Sequence, residues 1–94
     1  MDNKYGITYE IIQHLGTLSE RIDKTDRASK WTLELNIVSF NGRLPLYDLR
    51  EWSEDHTQMR NGIRLNNRQI DTLRELLVQR HQKEVEADRE EQAI

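Results

Sequence analysis

The sequence predicts an α+β fold: a four-stranded antiparallel sheet followed by one C-terminal helix, in the order ββββα. Three observations predict it. Residues 31–40, WTLELNIVSF, alternate with period two, placing Trp31, Leu33, Leu35 and Ile37 on one face and Thr32, Glu34, Asn36, Val38 and Phe40 on the other. Asn41-Gly42 follows at once, the dipeptide best suited to the positive backbone angles of a tight hairpin. Beyond Leu65 the period changes: Asn66 with Gln69 reads as a capping box, and Ile70, Leu73 and Leu77, with Leu76 beside them, form a helical stripe.

The remaining elements fit between these. Residues 5–19 are rich in Ile and Thr, with Ile7, Tyr9 and Ile11 alternating before Ile12 breaks the period. They read as a strand with a bulge near Gly16; a short helix across Tyr9, Ile12 and Leu15 is the competing assignment. Residues 20–29 are polar and read as an exposed connection. After the hairpin, Leu46–Trp52 returns antiparallel, with Pro45 at its start, where a missing N–H is tolerated. Tyr47 and Leu49 then share the apolar face, and Asp48, Arg50 and Trp52 share the polar face with Phe40. A polar loop over 53–61 leads to a short strand, Gly62–Leu65, with Ile63 and Leu65 inward and Arg64 outward. The helix is expected to cover the apolar face. Residues 1–83 form the domain, with its core in 30–80, and the charged run from Glu84 to the C-terminus reads as frayed helix or disordered tail.

Composition bounds the function. The chain has 94 residues, one domain's worth, with 35% hydrophobic and 33% charged residues. The thin core expected from this balance calls for a partner, and a homodimer is expected. There is no cysteine, which removes disulfides, thiolate metal sites and thiol nucleophiles. His14, His56 and His81 are far apart in sequence, and no metal or other cofactor is expected. Asp48 and Glu51 fall on opposite faces of one strand, Ser39 and Ser53 lack a nucleophile context, and Gly42 and Gly62 are isolated. An enzyme is therefore not expected. Without a signal peptide or a long apolar run the chain reads as cytoplasmic, with no membrane partner.

Net charge is −3, yet the deficit sits at the C-terminus: residues 30–74 carry seven basic against six acidic side chains, and residues 75–94 three against six. The polar face of the sheet gathers Lys30, Phe40, Arg50, Trp52 and Arg64, with Arg43 in the turn and Arg60 in the adjoining loop. Against these five cations stand Glu34 and Asp48, a local excess of about +3 per chain. Aromatic rings among arginines on a solvent-facing sheet make a platform for single-stranded nucleic acid, guanidiniums holding phosphates and rings accepting bases. The rival reading makes the same aromatics a protein contact. Trp31, on the apolar face, reads as core or dimer contact.

The run from Asn36 to Leu76 also resembles the DNA-binding domain of the transcriptional positive cofactor four family, and within it the bacterial YdbC-like members. The resemblance covers about residues 30–77 and rests on Val38-Ser39-Phe40-Asn41, on Tyr47-Asp48-Leu49-Arg50-Glu51-Trp52-Ser53, and on Gly62-Ile63-Arg64-Leu65 followed at once by the helix. It implies a curved sheet, a homodimer and sequence-tolerant binding of single-stranded DNA. By the same resemblance Phe40 is similar to the family's stacking aromatic, Arg43 to the basic residue beyond the turn, Arg50 to the phosphate-contacting strand arginine and Trp52 to the aromatic ending that strand. Arg60 and Arg64 fall in its basic stretch, and Asn41 stands where some relatives place lysine. The expected protein is nucleoid-associated and acts in transcription, replication or repair, with RNA as a second possible ligand. The alternative is an interaction module docking on transcription machinery such as RNA polymerase. The acidic tail is expected to be solvated; folding over the groove in competition with DNA is the other reading.

Overall fold

The computed structural model describes residues 6–25 and 29–92. Tyr5, the first residue of the expected N-terminal strand, part of the expected 20–29 connection and the last two residues of the tail lie outside the described residues. Strands β1 (Tyr9–Asp23), β2 (Ser29–Phe40), β3 (Leu46–Ser53) and β4 (Ile63–Leu65) form one antiparallel sheet in sequence order, followed by helix α1 (Asn67–Gln92). The ββββα architecture is as the alternation and the cap predict.

The β2–β3 register pairs Leu35 with Leu49, Ile37 with Tyr47, Asn36 with Asp48 and Thr32 with Trp52, so the two faces have the expected membership. The turn also forms for the expected reason: Asn41 and Gly42 take φ of 52° and 70°, and the Arg43 N–H closes on the Phe40 carbonyl at 3.0 Å.

Strand β1 differs from expectation. It continues to Asp23, through residues assigned from sequence to a connection, and it spends fifteen residues against twelve of β2. The surplus is taken up at three irregularities, between Ile11 and Gln13, His14 and Gly16, and Thr17 and Ser19. Each skips one aliphatic residue: Ile12, Leu15, then Leu18. A bulge every third residue gives a strand an apolar spacing close to a helical one, which is why the helical assignment across Ile12 and Leu15 competes. The competing helix does not form. Bulges also bend and twist the strand that carries them.

The distribution of burial is the larger correction. The fully buried side chains, Val38, Trp52, Asn36 and Asp48, all lie on the face expected to be wet. Tyr9 from β1 and Met59 from the β3–β4 connection close over Val38 and Trp52, with Ile11 and Phe40 at the margin. Period two reports which residues share a face; curvature decides which face is enclosed. The other face keeps Leu33, Leu35, Ile37, Tyr47 and Leu49 half-buried, and Ile63 is 60% exposed.

Helix α1 does not cover that face as expected; among the described residues it packs only against β3 and β4. Its start follows the predicted cap: the Gln69 N–H donates to Asn66 Oδ1 at 2.8 Å, and the Asn66 N–H to Gln69 Oε1 at 2.9 Å. It continues past Lys83 through the charged run that reads from sequence as frayed helix or disordered tail. Good helix formers and the Arg80–Glu84 pair at 3.0 Å carry it to Gln92. Leu73, Leu76, Leu77 and Val78 stay exposed along its stripe. The radius of gyration is therefore 17.7 Å, against about 12 Å for a compact domain of this length.

Gly62 shows how closely the β4 approach packs. A Cβ there would lie 2.6 Å from the Leu49 carbonyl oxygen and within overlap of the Arg50 Cβ. Gly62→Ala is expected to cost about 1–3 kcal/mol, read as a lower urea midpoint with unchanged m.

Candidate nucleic-acid interface

Strand β2 ends at Phe40, whose even position puts its ring on the enclosed face, at the rim of the buried cluster. Two guanidiniums lie over that ring: the Cζ of Arg50 is 4.8 Å from its centroid and that of Arg64 is 4.6 Å. Their situations differ. Arg50 donates through Nε and Nη2 to the two oxygens of Asp48, both at 2.6 Å, and Asp48 is fully buried. Its Nη1 also reaches the Arg60 carbonyl at 3.3 Å. Arg64 donates through Nη2 to the Val38 carbonyl at 2.6 Å, and its Nε lies 3.8 Å from the same Asp48, beyond hydrogen-bond reach. One carboxylate faces two guanidiniums and is bonded on both oxygens by the first. Two guanidiniums against one carboxylate leave this group of three with a net positive charge.

Arg43 follows in the turn, exposed and without an ion pair among the described residues. Its carbonyl accepts the Ser39 hydroxyl at 2.6 Å. Asn41 ties the turn to the start of β1, its Oδ1 accepting the Thr8 N–H at 3.0 Å. Phe40, Asn41, Arg43 and Arg64 thus gather at one corner of the sheet, with Arg50 behind Phe40.

Three expected site residues do not join them. Trp52 is the centre of the core: its exposure is 0%, and the rings of Tyr9 and His56 lie 5.2 and 5.6 Å away, so it offers no open face to a base. Arg60 turns onto Trp31, its Cζ 4.3 Å from that ring, and donates to Asp23 at 2.8 Å. Trp31 belongs to the face opposite Phe40. Lys30 pairs with Glu20 at 3.1 Å, toward the far end of β1. Of the five cations expected to create a local excess, Arg43 has no ion pair among the described residues, and Arg64 has only the long one to Asp48, at 3.8 Å.

Residues 28–76 match the sequence profile of a family described as Transcriptional Coactivator p15 (PC4). The chain belongs to this family. An uncharacterized protein of Treponema pallidum (strain Nichols) is 41% identical over 69 residues, covering 73% of this chain and 74% of its own length. The p15 (PC4) match spans β2, β3, β4 and the start of α1, so it contains every residue at the Phe40 corner. No helix among the described residues is long and apolar enough to cross a membrane.

Sequence reasoning missed a second cluster that reaches beyond the p15 (PC4) match. Glu34, 4% exposed, accepts from Thr32 Oγ1 at 2.5 Å, Asn36 Nδ2 at 3.1 Å and His56 Nε2 at 2.8 Å, and His14 Nδ1 stands 3.4 Å away. The two histidines are remote in sequence, and the bulges of β1 hide which face His14 takes; no linear spacing reveals the meeting. His56 sits at φ 59°, an uncommon angle for a side chain of its size. Its ring covers Trp52 and its carbonyl accepts the Tyr9 hydroxyl. No group of three or more metal-ligating side chains among the described residues is placed to hold a metal ion.

Burial pushes the Glu34 carboxyl up, and the hydrogen bonds from Thr32, Asn36 and His56 with the His56 charge more than offset it, leaving the group below the usual carboxylate range. A carboxyl lowered on folding binds more protons when unfolded, so its contribution is complete above the unfolded value of about 4.3 and is lost as pH falls below it. Glu34→Gln is expected to flatten the loss of urea stability between about pH 5 and pH 3. Asp48→Ala would leave Arg50 buried without its partner and is expected to cost about 3–5 kcal/mol in the same measurement at neutral pH.

Proposed function

We propose that this protein binds single-stranded DNA, with little sequence preference, as a homodimer, and that it resembles the YdbC-like branch of its family in doing so. The observation that carries the reading is the Phe40 corner: an aromatic ring at the rim of the buried cluster with the Arg64 guanidinium over it, Arg43 exposed in the adjoining turn, and a single carboxylate, Asp48, already bonded on both oxygens by Arg50, to balance Arg50 and Arg64 together. Phosphates pair with these arginines, and an unstacked base lies on Phe40, which an intact duplex cannot supply without melting. Membership in a family described as transcriptional coactivators favours transcription as the setting. RNA offers the same phosphates and bases and is the second ligand to try.

Two apolar surfaces support the dimer. The Leu33–Leu35–Ile37 face lacks a covering layer and the stripe of α1 lacks a floor. A second copy supplies each with the other. Leu73→Asp with Leu77→Asp is expected to give a monomer in sedimentation velocity; a dimer that persists places the interface elsewhere.

Affinity for octathymidine is expected to exceed that for duplex of equal length. With two phosphate contacts per chain, log affinity should fall against log salt with a slope of about −3, at roughly 0.7 per phosphate for single strands. Phe40→Ala should weaken binding by about 1–3 kcal/mol in fluorescence anisotropy while leaving the dimer intact. A flat salt response, or equal weak binding of both oligonucleotides, overturns the reading. It would favour a protein-docking module, for which the exposed aliphatics of β1, Ile12, Leu15 and Leu18, are the specific surface.

A further inference from the structure

We infer that Arg64 occupies the Phe40 ring in the free protein and leaves it for a phosphate when single strand binds, so that one side chain both covers the base platform and grips the ligand. This rests on the single-strand reading and adds a conformational step to it.

The argument starts from the ring. A single phenyl group offers limited π surface, and here two guanidinium planes already lie over it. A base stacks there only if one of them moves. Arg50 is the wrong candidate. It is held by two charge-assisted bonds of 2.6 Å to a fully buried carboxylate and by the Arg60 carbonyl, and its side chain is 12% exposed. Moving it would strand Asp48 without a counter-charge.

Arg64 has less to lose. Its Nε is buried yet has no hydrogen-bond partner, because Arg50 has taken both oxygens of Asp48. Its one bond is to the Val38 carbonyl, and its side chain is 26% exposed, about twice as open as Arg50. An unsatisfied buried donor carrying full charge is costly to keep, and a phosphate gives a guanidinium two acceptors at once. The exchange of ring for phosphate satisfies the orphaned donor and uncovers the platform in one movement. Strand β4 suits this role: it is three residues long and at the sheet edge, so Arg64 projects from a short anchor beside open solvent.

Phe40 is the sole phenylalanine of the sequence, so 4-fluorophenylalanine labels the platform uniquely. In the otherwise unaltered protein, Overhauser contacts from the labelled ring to the side-chain protons of both Arg50 and Arg64 are expected. On saturation with octathymidine the Arg64 contact should vanish and the Arg50 contact persist. Retention of both contacts at saturation, or loss of Arg50 alone, overturns the inference. Two variants give an independent readout. Arg64→Lys keeps the phosphate charge and should leave the salt slope unchanged, whereas Arg64→Gln should reduce it by about 0.7 for each chain engaged. An unchanged slope in Arg64→Gln means that Arg64 never reaches phosphate. Failure of the single-strand reading is separately visible: octathymidine would then cause no anisotropy change at all, and the transfer falls with it.

Discussion

A buried carboxylate on the third strand governs what the enclosed face of this protein can do. Asp48 has no access to solvent and must be neutralised where it stands, and Arg50 does this through both oxygens. That pair fixes the position of one guanidinium against Phe40 and consumes the acceptors that a second would need. Arg64, directly across the sheet from Asp48, is left charged and incompletely bonded. The chemistry of the corner thus follows from an imbalance of one acid against two bases. An arginine count on that face overstates the available charge, because arginines bonded to buried acids are part of the scaffold.

The same face shows how shape overrides composition. Leu33, Leu35 and Ile37 are more apolar than Asn36 and Asp48, yet the polar pair is enclosed and the aliphatic row is not. Tyr9 and Met59 pack over the even-numbered side, and the polar groups enclosed with them are satisfied by one another: Asn36 by Glu34 and His14, Glu34 by Thr32 and His56. The chain builds a small polar core on this side and leaves Leu33, Leu35 and Ile37 half-buried on the other.

Local rules made much of this legible in advance. Strand parity from Trp31 to Trp52, the positive angles at Asn41 and Gly42, and the reciprocal Asn66–Gln69 cap depend on neighbours within a few residues, and each is where the sequence places it. The illegible parts depend on the path of the whole sheet. Nothing near Trp52 in sequence says that Tyr9 will cap it, since forty-two intervening residues must first set the path of the sheet. Arg60 lies away from the Phe40 corner for a related reason: the loop that carries it turns toward Asp23 on β1, a partner visible only once β1 is known to run four residues further than its composition suggests. The meeting of His14 and His56 at Glu34 needed both pieces of information together.

The unpaired residues of β1 have one more implication. Each of Ile12, Leu15 and Leu18 lies between paired neighbours without a partner of its own on β2, so removing any one would restore regular pairing locally instead of breaking the ladder. Curvature here is a matter of arithmetic between two strand lengths. Chains that gain or lose single residues in this stretch would change the bend of β1 in steps, with the pairing of β2 and β3 untouched.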